Sequence, residues 1–190
     1  VAARVRPGSP AARVAAVVLA AGLAVVAGGC GIAASTEVPS VSAAPVGPDA
    51  TVSPAVAQTR ALIANALAPF SLQLQNAKQP FRPAESPRLA TAPRAVYQVV
   101  LPQDPEAGYI VVYEFRDAGE AVNAGNEFAG YVGSGGPGKV LFPLDVQHTI
   151  RQLGTTLIIY SWAPSTSPDP GSPKIADALK TLGIGFAPPR

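Results

Sequence analysis

Two strand-like runs, residues 146–153 and 156–162, are joined by nothing more than Gly154-Thr155. No other stretch constrains the fold as much. A two-residue connection with glycine in its first central position suits a type II′ hairpin, and the turn then sets the register of both strands. Ile150 faces Ile159 across the pair, and His148 faces Ser161. Because side chains alternate along a strand, Val146, His148, Ile150, Leu157 and Ile159 share one face, taken here as the core side. Gln147, Thr149, Arg151, Ile158, Tyr160 and Trp162 share the other.

A second strand pair precedes it. From Ala95 the pattern again has period two, with Tyr97, Val99 and Leu101 on one side and Val96, Gln98 and Val100 on the other. Residues 102–108 form the loop that leads into the apolar run 109–115, which completes a hairpin. Asp117 and Glu120 then make a capping box for a helix whose Ala121, Ala124, Phe128 and Val132 share a face. Gly125 and Gly130 weaken that helix by about 1 kcal/mol each relative to alanine, a cost that close packing on a sheet would explain. After the second hairpin, Ser172-Pro173 reads as N-cap and first-turn proline. Ile175, Leu179 and Leu182 form the last helical stripe, and Gly183 closes it.

Strand-strand-helix thus occurs twice, in the manner of a diverged duplication with a period near 50 residues, most comparable over 109–132 and 157–182. The expected fold class is α+β, a two-layer sandwich of ββαββα order with a four-stranded antiparallel sheet and helices on one face. This domain spans residues 95–190. Residues 53–94 precede it as an N-terminal helix and a proline-rich wrap. The helix starts at Ser53-Pro54, turns Val56, Ile63, Leu67 and Phe70 to one side, and stops at Ala68 because Pro69 restricts the residue before it. The wrap carries Pro80, Pro83, Pro87 and Pro93, with Phe81 and Leu89 as hydrophobic pins.

Residues 1–29 have a different logic. Arg4, Arg6 and Arg13 precede an apolar run that ends in Ala27-Gly28-Gly29-Cys30. A basic segment, a short apolar segment and small residues at its end make a secretory signal. The run resembles the lipobox of bacterial lipoproteins. The resemblance implies cleavage between Gly29 and Cys30, a lipidated Cys30, and a mature chain held on the extracytoplasmic side of the cell membrane. Residues 30–52, rich in Ala, Ser, Pro and Val, then read as a tether with an r.m.s. reach of about 25 Å. A competing reading is an uncleaved span, since no charge occurs between Arg13 and Glu37 and about 20 apolar residues cross a bilayer. A buried core cysteine is the blandest alternative. Both membrane readings place the chain after residue 34 outside the cytoplasm.

Without residues 1–29, the fourteen basic side chains lose three, leaving eleven against twelve acidic and a net charge of −1. Such a domain has no basic field for nucleic acid. A single cysteine permits no intramolecular disulfide, so stability must come from an apolar core.

Chemistry is harder to find. Residues 133–139 match the spacing of a phosphate-binding loop, but Val140 stands where a Ser or Thr would bind Mg²⁺, Pro137 removes an N–H, and a helix precedes them instead of a strand. His148 is the only histidine, and no cysteine or second histidine stands by to make a zinc site. A half-buried His148 bonded to a hydroxyl is the plainer expectation. Ser161, His148 and Glu114 can be written as a triad, but no G-x-S-x-G elbow presents the serine. Asp104, Glu106, Glu114, Asp117, Glu120 and Glu127 cluster around the first hairpin and helix without singling out a catalytic pair, and calcium at Asp104 and Glu106 lacks EF-hand spacing.

Tyr160 and Trp162, with Arg151 on the neighbouring strand, have the composition of a binding surface. The competing reading is that the first helix and the wrap cover that face. The sequence therefore points to a lipid-anchored, non-catalytic binding or interaction module of the cell envelope. It would take an envelope protein or a small ligand and need no cofactor. The alternatives are a small hydrolase centred on His148 and Ser161, and a purely structural envelope lipoprotein.

Overall fold

The computed structural model describes residues 52–134 and 142–189. Its elements are α1 (Pro54–Leu67), β1 (Leu74–Asn76), α2 (Pro87–Thr91), β2 (Arg94–Val99), β3 (Tyr109–Glu114), α3 (Ala118–Gly133), β4 (Gln147–Leu153), β5 (Thr156–Trp162), α4 (Gly171–Lys180) and β6 (Ile184–Phe186). The fold is α+β. Six strands form one antiparallel sheet in the order β1-β2-β3-β5-β4-β6. The four expected strands are its centre, and the two short additional ones close its edges.

The second hairpin has the register its turn implies, with Ile150 opposite Ile159 and His148 opposite Ser161. Gly154 takes φ +58 while Thr155 has a negative φ, the combination a type II′ turn requires. In the first hairpin, Gln98 pairs with Tyr109 and Ala95 with Val112. The helix starts follow local chemistry. Ser53 Oγ accepts from Val56 N at 3.2 Å, and Asp117 Oδ1 accepts from Glu120 N at 2.8 Å. Glu120 reaches back to the N–H of Arg116, one residue before the expected N-cap.

Helices cover both faces of the sheet, which corrects the expected two-layer arrangement. On one face α1 and α4 pack Ile63, Leu67, Ile175 and Leu179 against Val99, Ile110, Val112, Ile158 and Tyr160. On the other, α2 and α3 pack Leu89, Ala124 and Phe128 against Val111, Tyr113, Ile150, Leu157 and Ile159. The strands are therefore apolar on both sides. Tyr109-Ile-Val-Val-Tyr and Leu157-Ile-Ile-Tyr are unbroken apolar runs, the pattern of a strand buried on both faces. A duplication of ββα units about antiparallel central strands would put both helices on the same face. α3 and α4 lie on opposite faces, so the expected repeat is not one of structure.

Other differences are local. The wrap contains β1, paired with β2, and the short α2, so residues 53–94 share sheet and core with the rest of the domain. Phe70 projects into solvent instead of continuing the α1 stripe. α4 begins at Gly171, before Ser172-Pro173, because Asp169 caps it by accepting from Gly171 N at 2.7 Å. Gly183 closes that end of the chain at φ +43, after which β6 pairs with β4. Gly125 lets α3 approach β6, since a Cβ there would lie 2.5 Å from the Phe186 ring. Gly130 has open space around its Cα, so packing does not explain it.

Candidate binding site

One end of the sheet gathers the unusual side chains. Gln98, Tyr109, Ser161 and His148 occupy consecutive strands at matching register, on the face covered by α3. His148 Nδ1 and Ser161 Oγ are hydrogen-bonded at 2.8 Å. The imidazole stands edge-on to Phe142 and Phe128, with centroids 4.7 and 6.2 Å away. Burial among these rings lowers the His148 pKa to about 4, because desolvation disfavours the charged form. The ring is neutral at pH 7.

Beside this row lies a depression of about 250 Å³, walled by Phe81, Asp104, Glu106, Tyr109, Ser161 and Trp162. Phe81 stacks on Tyr109 with centroids 4.2 Å apart and planes within 5°, so the wrap supplies one aromatic wall. Trp162 supplies another from the end of β5. Its indole Nε1 is buried without a hydrogen-bond partner among the described residues.

The rim is the loop between β2 and β3, and it is tied down from below. Gln98, buried at the sheet end, donates both amide hydrogens, to Pro105 O at 2.9 Å and Ala107 O at 3.1 Å. Asp169 accepts from Gln103 N at 2.8 Å, and Ala107 N donates to Asp104 O. Gly108 returns the chain to β3 at φ +80, with Val99 O occupying the place of a Cβ. No larger residue fits there. Asp104 and Glu106 are held on this rim without an ion pair among the described residues. They are also the only charged side chains on the wall. The Tyr109 hydroxyl is held above its usual pKa, first by burial and then by the Glu106 charge.

The residues singled out in the sequence divide sharply. His148, Ser161 and Trp162 meet at this end of the sheet. Tyr160 does not, being 1% exposed beneath α4 and donating to Ser172 O at 3.3 Å. Arg151 caps the end of α4, donating to the carbonyl oxygens of Leu182 and Gly183. The open aromatic face is thus closed, by α1 and α4. Glu114 pairs with Thr156 at the far end of β5 from Ser161, five residues and about 17 Å along the strand. It lies on the opposite face and accepts from Ser53 Oγ at 2.7 Å, so the triad does not form. Gly29, Cys30 and most of the glycine-rich 133–139 segment lie outside the described residues.

No family model, curated protein or solved structure matches the chain. The site must be read from its own geometry. Ser161 and His148 have the contact a nucleophile and base need, but among the described residues no carboxylate orients the imidazole, and its low basicity suits it poorly to proton abstraction near neutrality. Sequence reasoning missed the Gln98 clamp. Its one signal was an amide inside an otherwise apolar strand.

Proposed function

We propose that this chain is a lipid-anchored, extracytoplasmic binding or interaction module of a bacterial cell envelope, without catalytic activity. The observation that carries the reading is the depression at the sheet end, where a rigid loop and aromatic walls are prepared before any ligand arrives. Preorganisation of this kind lowers the ordering cost of binding. Ser161 serves here as part of the wall, with His148 bonded to it. The chain enters the domain at the other end, where Ser53 is bonded to Glu114. A tether leading from a lipidated Cys30 would join the domain at that end, remote from the depression.

Among the described residues no helix is long and apolar enough to cross a membrane; the apolar run before Cys30 lies outside them. Metabolic labelling with palmitate tests the anchor. Labelled protein is expected, with labelling lost in Cys30→Ala. An intact N-terminus through Arg4 by mass spectrometry would point to the uncleaved span. Binding is tested by comparing partners retained by the parent chain and by Trp162→Ala. Loss of a central aromatic commonly costs about 2 kcal/mol, roughly thirtyfold in affinity. Equal retention of every partner would refute the site.

A further inference from the structure

We propose that Asp169 is a clasp coupling the two lips of the depression, so that the loop between β2 and β3 and the loop between β5 and α4 open and close as one. The inference rests on the reading of the depression as a binding site and names the device that sets its shape.

The lips belong to different loops. Asp104, Glu106 and Ala107 wall the depression from one, and Ala163, Thr166 and Ser167 from the other. Among the described residues a single hydrogen bond joins these loops, from Gln103 N to Asp169 Oδ2 at 2.8 Å. The second oxygen, Oδ1, accepts from Gly171 N at 2.7 Å, the first residue of α4. Asp169 is 3% exposed, is not itself on the wall, and has no cationic partner among the described residues. A buried carboxylate is costly unless hydrogen bonds satisfy it, and bonds to an ionised acceptor are stronger than neutral ones. Both N–H groups are therefore held firmly to one side chain.

Contacts around the clasp bring the same two loops together. Gly171 lets α4 begin against the root of the first lip, since a Cβ there would lie 2.6 Å from Leu101 Cδ2. Leu101 O accepts from Asp104 N at 3.1 Å, which leads the chain from that root to the rim. On the second lip, Ser167 Oγ lies 3.0 Å from Ser172 Oγ in the first turn of α4. The Tyr160 hydroxyl senses both loops. Burial raises its pKa, and the Asp104 and Asp169 charges raise it further. Moving one lip alone strands the Gln103 N–H and half of a buried carboxylate, whereas moving both together keeps the bond.

Asp169→Asn keeps the shape of the clasp, but an amide accepts at one end only and turns its NH₂ toward the other N–H. Residue-resolved amide exchange of the full chain reads the lips, and acrylamide quenching of Trp162 reads the wall, since Trp162 is the only tryptophan and lines it. In Asp169→Asn, exchange at Gln103 should accelerate about tenfold or more. The amides of Thr166 and Ser167, which donate to Ala163 O, should accelerate with it, and Trp162 should be quenched more readily. Arg151→Met, which loosens the opposite end of α4, should change none of these. If Asp169→Asn does not fold, Gly171→Ala tests the same junction, because its methyl presses on Leu101 Cδ2 and on Asp169 Oδ1, 3.0 Å away. The proposal is overturned if exchange at Gln103 is unchanged in the folded variant, or if Gln103 alone accelerates while Thr166, Ser167 and Trp162 stay as in the parent. Equal changes in Arg151→Met would overturn it too, since general destabilisation would then account for them. Equal retention of every partner by Trp162→Ala would remove the binding reading and leave the exchange measurements intact. A Trp162-dependent partner with Gln103 exchange unchanged would remove only this inference.

Discussion

The Tyr113 hydroxyl donates to Glu85 Oε1 at 2.8 Å, and that bond fastens the proline-rich wrap to the centre of the sheet. The Glu85 side chain is 4% exposed and also receives Arg94 at 2.9 Å and Arg82 at 3.0 Å. Burial raises the Tyr113 pKa, and the adjoining carboxylate raises it further. The phenol therefore stays protonated, and a donor, at neutral pH.

Two tyrosine substitutions should consequently behave in opposite ways. Tyr113→Phe takes a donor from a buried carboxylate and should lower stability by about 1–3 kcal/mol. Tyr97→Phe removes a buried hydroxyl that has no partner among the described residues. It keeps the ring beneath Arg60, whose guanidinium carbon is 5.7 Å from the centroid, and should be neutral or stabilising. Urea unfolding of the two variants checks the pair. Equal losses would contradict the bonding described.

The two glycines of α3 form a similar contrast. Gly125→Ala drives a methyl into the Phe186 ring and should cost about 1–3 kcal/mol through overpacking. Gly130→Ala meets nothing within 4 Å and should gain about 0.5–1 kcal/mol from helix propensity. Thermal melts distinguish them, and a stabilising Gly125→Ala would show that α3 and β6 are not in close contact.

Much of this architecture was legible because local chemistry dictated it. Gly154 fixed a turn, the turn fixed the pairing of His148 with Ser161, and Ser53 and Asp117 marked helix starts. Layering was less legible. Period two sorts Ile159 from Tyr160 but does not say which side is covered, and here both are. β1 and β6 have only three residues each, too few for a periodic signal. The cavity was illegible for a different reason. Phe81 and Tyr109 are 28 residues apart, and their stacking depends on the path of a wrap whose prolines mark bends without giving their direction.

Stability should fall with acid through His148. Its pKa is lowered from 6.5 to about 4 on folding, so the unfolded chain binds the proton more readily. The contribution is complete above pH 6.5 and is lost as the pH drops from there through 4. Allowing for the partial exposure of the ring, the loss should be about 2 kcal/mol. As the chain has one histidine, a single imidazole NMR titration reports it directly. A midpoint near 6.5 would mean that the ring is solvated.

Arg151 should matter to α4 and not to ligand. Arg151→Met keeps much of the apolar stem but abandons the carbonyl oxygens of Leu182 and Gly183. A stability loss of about 1–2 kcal/mol is expected. Affinity at the depression should stay within about twofold, since additivity holds for distant sites. A variant with normal stability and impaired binding would restore Arg151 to the binding surface.

The bond between Thr59 on α1 and Thr156 on β5 joins residues 97 apart in sequence, and α4 completes the same layer later still. A chain delivered N-terminus first, from a ribosome or through a membrane, must therefore carry the apolar stripe of Val56, Ile63 and Leu67 uncovered until β3 and β5 arrive, and only partly covered until α4 follows. Contacts so distant in sequence make for slow closure. During that interval the stripe is a natural handle for a chaperone, and truncation before α4 would leave the side that meets Ile175 and Leu179 bare.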